Sequence, residues 1–285
     1  MTLPDINPVL LELGPLAIRW YALAYVAGIL FGWRYAVYLA KSTPLWGAKG
    51  SPATEAHVDD LILWLTLGVI LGGRIGYVLF YQPALIWTDP LGILRLWEGG
   101  MAFHGGLIGV TLAIIFFARQ HKISVLSLGD LIAPVVPAGL FLGRIANFIN
   151  GELWGRPTDA PWGIVFCNKY ILQALGKCPA GEHVPRHPSQ LYEAALEGLV
   201  LFSVLWFGVH KARWLERPGL VTGVFLFGYG LSRALLETVR NPDLHMPDFP
   251  LGLTMGMMLS IPMILAGAWL IWSAQKDKTP AVPTA

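Results

Sequence analysis

Four arginines stand in stretches where an apolar chain has least use for them. Arg74 lies in GGRIGYVLF, Arg144 in GRIANFINGE, and Arg233 and Arg240 in GYGLSRALLETVR. Arg144 and Asn147, three residues apart, share a helix face, with Asn150 and Glu152 just beyond. Arg233, Glu237 and Arg240 sit at i, i+4 and i+7, one helical stripe, and Tyr229 lies one turn earlier. An arginine at the centre of a membrane helix costs roughly 2.5–3.5 kcal/mol on insertion scales, so several together imply ion pairing, a wet cavity or an anionic ligand. Each has a plain structural alternative. Arg233 and Glu237 are a ready intrahelical pair, Arg144 can pair with Glu152, and Arg74 can pair with Asp60 or Glu98 or snorkel. Yet all four fall toward the same ends of their segments, and the guanidiniums outnumber the acids nearest to them. A surplus of that kind wants an anion, and a guanidinium fork grips a lipid phosphate bidentately.

Two further stretches carry candidate chemistry. In WEGGMAFHGGLIG, His104 lies between glycine pairs that allow a ligand or a neighbouring helix to approach the backbone closely. Histidine is the natural proton carrier near neutral pH. RHPSQLYE, residues 186–193, opens a helix: Pro188 suits a first turn, and Gln190 and Glu193 read as capping and packing.

These residues must be positioned by membrane helices. Of 285 residues, 55% are hydrophobic and 13% charged, about half the charged fraction of a soluble domain (roughly 25%). The 12 tryptophans fit interfacial anchoring. A formal net charge of +2 is too small to suggest nucleic acid as a target, and two cysteines provide neither a disulfide framework nor a thiolate metal cluster. MTLPDINPVLLELG has no basic n-region or small-residue cleavage site, so no removable signal peptide is expected. Seven segments are long and apolar enough to be spans of about 20 residues, at about 16–39, 61–81, 102–118, 128–149, 190–209, 219–237 and 251–273. The expected fold is an all-α polytopic membrane protein, with residues 1–275 as one helical domain and 276–285 as a cytoplasmic tail.

Basic residues orient the stack. Lys41, Lys49, Arg119, Lys122, Lys211, Arg213, Arg217, Lys276 and Lys278 fall on one side. Short loops on the other side hold Arg95 and Arg240, and one long loop, about 151–189, holds Arg156, Lys169, Lys177 and Arg186. Short loops dominate the positive-inside rule, so the N-terminus is expected outside and the C-terminus in the cytoplasm. The long loop then forms an outer subdomain, and its Cys167 and Cys178 lie where a disulfide can form; the sequence leaves their pairing open. From residues alone, the site is a cationic, outward-facing cavity with a histidine base. A lipid-processing enzyme, an anion transporter and a lipid-binding scaffold all fit it, although no pair of broken helices in matching halves supports the transporter.

GGRIGYVLFY, GGMAFHGGLIG, GRIANFINGELWGRP, RHPSQLYE and GYGLSR, in this order, resemble the bacterial prolipoprotein diacylglyceryl transferases. The resemblance runs from about GPLAIRWYAL to LSIPMILAG and is most specific in the Arg-Asn-Asn-Glu-Leu-Trp-Gly stretch. It implies a seven-span inner-membrane enzyme with its active site toward the periplasm. Such an enzyme moves the diacylglyceryl group of phosphatidylglycerol to the lipobox cysteine thiol beside a prolipoprotein signal peptide, the first step of lipoprotein maturation. Glycerol 1-phosphate is released, and no cofactor or metal is implied. The matching site positions are Tyr21, His104, Arg144, Asn147, Glu152, Tyr229 and Arg233 for catalysis, and Arg144, Arg233, Arg240, Gly155 and Glu237 around phosphatidylglycerol. One departure is Met257 in MGMMLS, where the family commonly has glutamine.

Overall fold

A computed structural model of the chain describes residues 1–14, 16–96, 99–241 and 254–276. Helices lie over all seven apolar segments: α1 (Trp20–Lys41), α2 (Glu55–Tyr81), α3 (Phe103–Gln120), α4 (Val125–Ile132) followed by α5 (Val136–Asn150), α6 (Ser189–His210), α7 (Leu220–Leu236) and α8 (Met255–Lys276). By length and apolarity α1, α2, α6 and α8 can each cross a membrane, and α4 with α5 can do so if counted as one broken span. At 17 residues α7 is about 25 Å long, and α3 is similarly short. Among the described residues, four helices, or five if the bent pair is one span, are thus long and apolar enough to cross a membrane.

The start of the chain corrects an all-helical reading. β1 (Val9–Leu13) and β2 (Leu16–Arg19) form an antiparallel hairpin pairing Leu13 with Leu16, so the first apolar segment enters its helix only at Trp20. Large apolar side chains such as Leu63, Phe80, Leu265 and Trp269 are exposed along the helices. That outward apolar surface suits hydrocarbon, where a soluble fold would bury it.

The chain divides into two compact units, residues 36–131 and residues 1–35 with 132–285. In the first, α2 begins at a reciprocal cap: the Thr54 hydroxyl accepts from His57 N at 3.3 Å, and Thr54 N donates to His57 Nδ1 at 3.2 Å. From there α2 runs against α3 with backbone touching backbone. A Cβ on Gly76 would lie 2.7 Å from Gly105 Cα, and one on Gly68 would lie 2.7 Å from Gly109 O. Helices in lipid gain little from burying apolar surface against each other, so close backbone packing through small residues carries the association.

In the second unit α6 packs on α5, and α7 packs on α8. The middle of α6, Ala194–Val200, is a π-helical segment. Residues 151–188 form the long loop, which folds over a small core of Leu3, Ile164, Phe166, Ile171 and Ala180. The N-terminus is threaded into it: Val165 N donates to Met1 O at 2.8 Å and Leu3 N donates to Val165 O at 3.0 Å. Cys167 and Cys178, with Cα atoms 5.3 Å apart, form a disulfide around the short helix Lys169–Leu175.

The α2–α3 contact predicts a clear asymmetry between adjacent glycines. A Cβ at Gly105 would lie 2.8 Å from Gly76 Cα, whereas one at Gly106 would meet only Val69 O at 3.6 Å. Gly105→Ala should therefore lower the melting temperature in detergent, at a cost of about 1–3 kcal/mol. Gly106→Ala should leave it within error, and equal effects would refute the backbone contact.

Candidate active site

Glu193 lies in the first turns of α6 with no exposed surface, and three guanidiniums converge on it. Arg144 Nε, from α5, is 2.8 Å from Oε2. Arg233 Nη1, from α7, and Arg240 Nη1, just beyond α7, are 3.3 and 3.4 Å from Oε1. Two more acids complete the cluster. Arg233 Nη2 lies 3.0 Å from Glu237 Oε2, the intrahelical pair expected from the spacing. Arg144 Nη2 lies 3.6 Å from Glu197 Oε2, an ion pair too long for a hydrogen bond. The arginines are not equally enclosed: the side chains of Arg144 and Arg233 are 16% exposed, that of Arg240 only 9%. Taking away one partner of such a buried network costs about 3–5 kcal/mol, because it leaves an uncompensated charge.

A polar cradle adjoins the cluster at the end of α5. Gly151, at φ +65°, takes the left-handed conformation that stops the helix and turns the chain back. The turn brings the Glu152 carboxylate under the helix end, where Asn147 Nδ2 donates to it at 2.8 Å and Asn150 Nδ2 at 3.2 Å. From α6, Gln190 Nε2 donates to the Glu152 carbonyl at 2.5 Å and Ser189 Oγ to the Leu153 carbonyl at 2.9 Å. Tyr21, at the start of α1, shares a hydrogen bond of 3.3 Å with Tyr25 and also interacts with Asn147 and Glu152. Tyr229 stacks on Phe225 and stands in the electrostatic neighbourhood of Glu197, Arg233 and Arg144.

Gly155 has a backbone reason for being glycine. It forms an antiparallel bridge with Arg240, its N–H donates to His187 O at 2.9 Å, and a Cβ there would lie 2.6 Å from Val239 O. Arg156 Nε also donates to Arg240 O at 3.0 Å. The chain leaving α7 is thereby held against the long loop, which sets where the Arg240 side chain begins.

One unit thus gathers Tyr21, Arg144, Asn147, Glu152, Gly155, Tyr229, Arg233, Glu237 and Arg240. Arg240 sits past the end of α7, so the expected helical stripe stops at Glu237, the residue capping that helix. Arg144 pairs with Glu193, while Glu152 is held by the asparagines. His104 falls in the first turn of α3, and its side chain lies outside the described residues. Of the two glycines that follow it, Gly105 serves helix packing and Gly106 does not.

Arg74 does not carry the role expected from its charge. It is 5% exposed, and its guanidinium donates to the carbonyls of Gly92 (2.6 Å), Ile93 (2.7 Å), Gly99 (2.5 Å), Gly100 (3.1 Å) and Arg95 (3.4 Å). One cation thereby ties down a loop by its backbone. In that loop Arg95 donates to Asp89, and together with the Gly92 N–H it holds the Asp89 carboxyl below the usual carboxylate range. The expected surplus of positive charge is corrected as well, since three arginines face three glutamates among the described residues. The overlooked groups are Glu193 and Glu197. In QLYEAALEGLV they are two acids at i and i+4 within an apolar span, as costly there as the arginines, and this was the signal that could have found them.

Residues 8–273 match the model of a family described as prolipoprotein diacylglyceryl transferase. A protein of Phenylobacterium zucineum (strain HLK1) is 63% identical over 280 residues, covering 98% of this chain and 96% of the relative. One of Caulobacter vibrioides (strain NA1000 / CB15N) is 60% identical over 291 residues, 97% and 96% of the two chains. One of Rhizobium leguminosarum bv. trifolii (strain WSM2304) is 53% identical over 280 residues, 97% and 95% of the two chains. All three are named phosphatidylglycerol–prolipoprotein diacylglyceryl transferase.

The carbonyl cage around Arg74 predicts a purely structural phenotype. In Arg74→Lys the charge stays, but a single ammonium cannot serve carbonyls spread around a planar fork. Its melting temperature in detergent should fall by several degrees while function per folded molecule stays near normal. Lost function in fully folded Arg74→Lys protein would return Arg74 to the site.

Proposed function

The chain belongs to the prolipoprotein diacylglyceryl transferase family, and on that premise we propose how its residues perform the reaction. It transfers the diacylglyceryl group of phosphatidylglycerol to the cysteine thiol of a prolipoprotein and releases glycerol 1-phosphate. The acceptor is the lipobox cysteine beside the signal peptide. The enzyme sits in the inner membrane and works toward the periplasmic side. Residues 1–275 act as one membrane domain, with an outer subdomain at about 151–189 and a cytoplasmic tail from 276.

The observation that carries this reading is the convergence of Arg144, Arg233 and Arg240 on Glu193 within otherwise apolar helices. Glu193 occupies one side of each fork and fixes its direction. Arg144 and Arg233, the two less enclosed, keep donors for a phosphate, and Arg240 completes the grip on Glu193. In the reaction a sulfur–carbon bond forms at the glycerol carbon, and the bond from that carbon to the phosphate oxygen breaks. The electron pair stays on oxygen, and guanidiniums already aimed there stabilise the charge that grows on it. The thiol must first lose its proton, since an unperturbed cysteine titrates near 8.5. His104 is the base on chemical grounds. Asn147 and Glu152, linked to Tyr21, shape the wall beside the phosphate, Tyr229 and Glu237 orient the forks, and Gly155 admits the close backbone turn.

Seven crossings with the N-terminus outside account for the charge bias of the short loops. One observation supports that orientation: the long loop holds the disulfide Cys167–Cys178, a bond of oxidising compartments. Reporter fusions after Lys122 and at the C-terminus should read cytoplasm, and one within residues 160–185 should read periplasm. The opposite reading for the long loop would reverse the site.

The chemistry is tested with purified protein, phosphatidylglycerol and a lipobox peptide. Glycerol 1-phosphate should appear only when the peptide carries its cysteine. Arg144→Lys should lower kcat by about a hundredfold with little change in lipid affinity, as expected for a donor that strengthens in the transition state. Near-normal turnover per folded Arg144→Lys molecule would remove Arg144 from the phosphate grip.

A further inference from the structure

Glu197 stands apart from the other acids of the cluster. It has no exposed surface, and neither carboxylate oxygen has a hydrogen-bond partner. Its closest cation, Arg144 Nη2, is 3.6 Å away and already pairs through Nε with Glu193. Glu193, by contrast, has three guanidiniums within 3.4 Å, and Glu237 has Arg233 at 3.0 Å. The local fold keeps Glu197 in this position. It lies in the π-helical segment of α6, and the next residue, Gly198, sits so close to α5 that a Cβ there would be 2.7 Å from Phe141 Cβ. Phe141 is one turn before Arg144, so this stretch of α6 packs closely on that arginine's helix, and yet neither Glu197 oxygen has a hydrogen-bond partner there.

Charge counting gives this placement a consequence. With Arg144, Arg233, Arg240, Glu193, Glu197 and Glu237 all ionised, the described cluster is formally neutral. The phosphodiester of phosphatidylglycerol brings one negative charge, and breaking the carbon–oxygen bond adds another to the leaving group. An uncompensated charge inside an apolar span is costly, and the usual relief is a change of protonation. The groups around Glu197 are Arg144 from α5, Glu193 from its own helix, Arg233 and Tyr229 from α7, and Arg240 beyond it. A phosphate that draws Arg144 toward itself leaves Glu197 facing Glu193 with its nearest cation engaged elsewhere.

We propose that Glu197 takes up a proton from solvent as the lipid phosphodiester enters, so that phosphatidylglycerol binding and protonation of this buried carboxylate are one linked event. The inference rests on the phosphate grip assigned above and extends it: the site holds an anion because it releases one of its own negative charges. Linkage fixes the sign. Affinity for the lipid falls as pH rises, by up to about tenfold per unit once Glu197 is ionised in the empty site. Removing the charge permanently abolishes the dependence.

The test is calorimetric titration of the purified full-length protein in detergent with dihexanoyl-phosphatidylglycerol, in two buffers of different ionisation enthalpy. At a pH alkaline enough for Glu197 to be ionised in the empty site, wild type should take up about one proton per lipid bound. Glu197→Gln should take up close to none, bind with pH-independent affinity, and bind more tightly than wild type at the alkaline end. Glu197→Asp, which keeps a titratable group, should retain the uptake. Failure of the wild type to bind the lipid would overturn the phosphate site itself. Binding without proton uptake, or uptake unchanged in Glu197→Gln, would overturn the role of Glu197 alone. If Glu197→Gln does not fold, Glu197→Asp decides: its lipid affinity should fall over a shifted pH range, and a range identical to wild type would overturn the role of Glu197.

Discussion

A carboxylate with no exposed surface inside an apolar helix survives as an ion only if cations come to it, and Glu193 receives three. They arrive from α5, from α7 and from the chain beyond α7. One buried charge therefore constrains three separate stretches, because moving any of them away strands charge in a medium that cannot solvate it. This differs from the apolar packing that joins helices in water. Between lipid-facing helices burial has little to offer, and backbone contact, hydrogen bonds and ion pairs hold the fold together.

The same constraint prepares the chemistry. A guanidinium free in a cavity would need to be oriented when substrate arrives. Arg144 and Arg233 are instead each held by two glutamates, Arg144 through Nε and Nη2 and Arg233 through Nη1 and Nη2, so their planes are fixed beforehand, and on the proposed grip preorganisation of this kind is where electrostatic catalysis gains most. The arrangement extends outward through backbone. Gln190 and Ser189, at the start of α6, hold the carbonyls of Glu152 and Leu153, and Gly155 pairs with Arg240 in a bridge that no side chain could enter. The long loop is thus part of the site's frame.

Much was legible in the sequence because some physical signals are local. Apolar runs located the helices, since a run that long has one favourable environment. The i, i+4 spacing of Arg233 and Glu237 foretold their pairing. The clustering of Arg144, Asn147 and Glu152 at one helix end marked a polar site, although Glu152 turned out to be held by Asn147 and Asn150. Arg74 misled for an instructive reason: its partners are five backbone carbonyls, and carbonyls carry no sequence signature. Glu193 misled in the opposite way, because a glutamate in a first turn resembles a cap until three arginines are brought to it.

By itself the sequence determined that the chain is a helical membrane protein with costly charges at particular depths, and its motifs pointed to the family. Both follow from residue type and spacing, which solvent transfer and helix periodicity translate directly. Only the tertiary structure decided which charge answers which. It sent Arg74 to a loop, gathered Arg144, Arg233 and Arg240 on Glu193, and left Glu197 without a hydrogen bond. The hairpin before α1 and the disulfide between Cys167 and Cys178 were decided in the same way. The reason is that pairing energy depends on separation and desolvation in space, and residues 40, 47 or 49 positions apart in the chain have no spacing rule to reveal it.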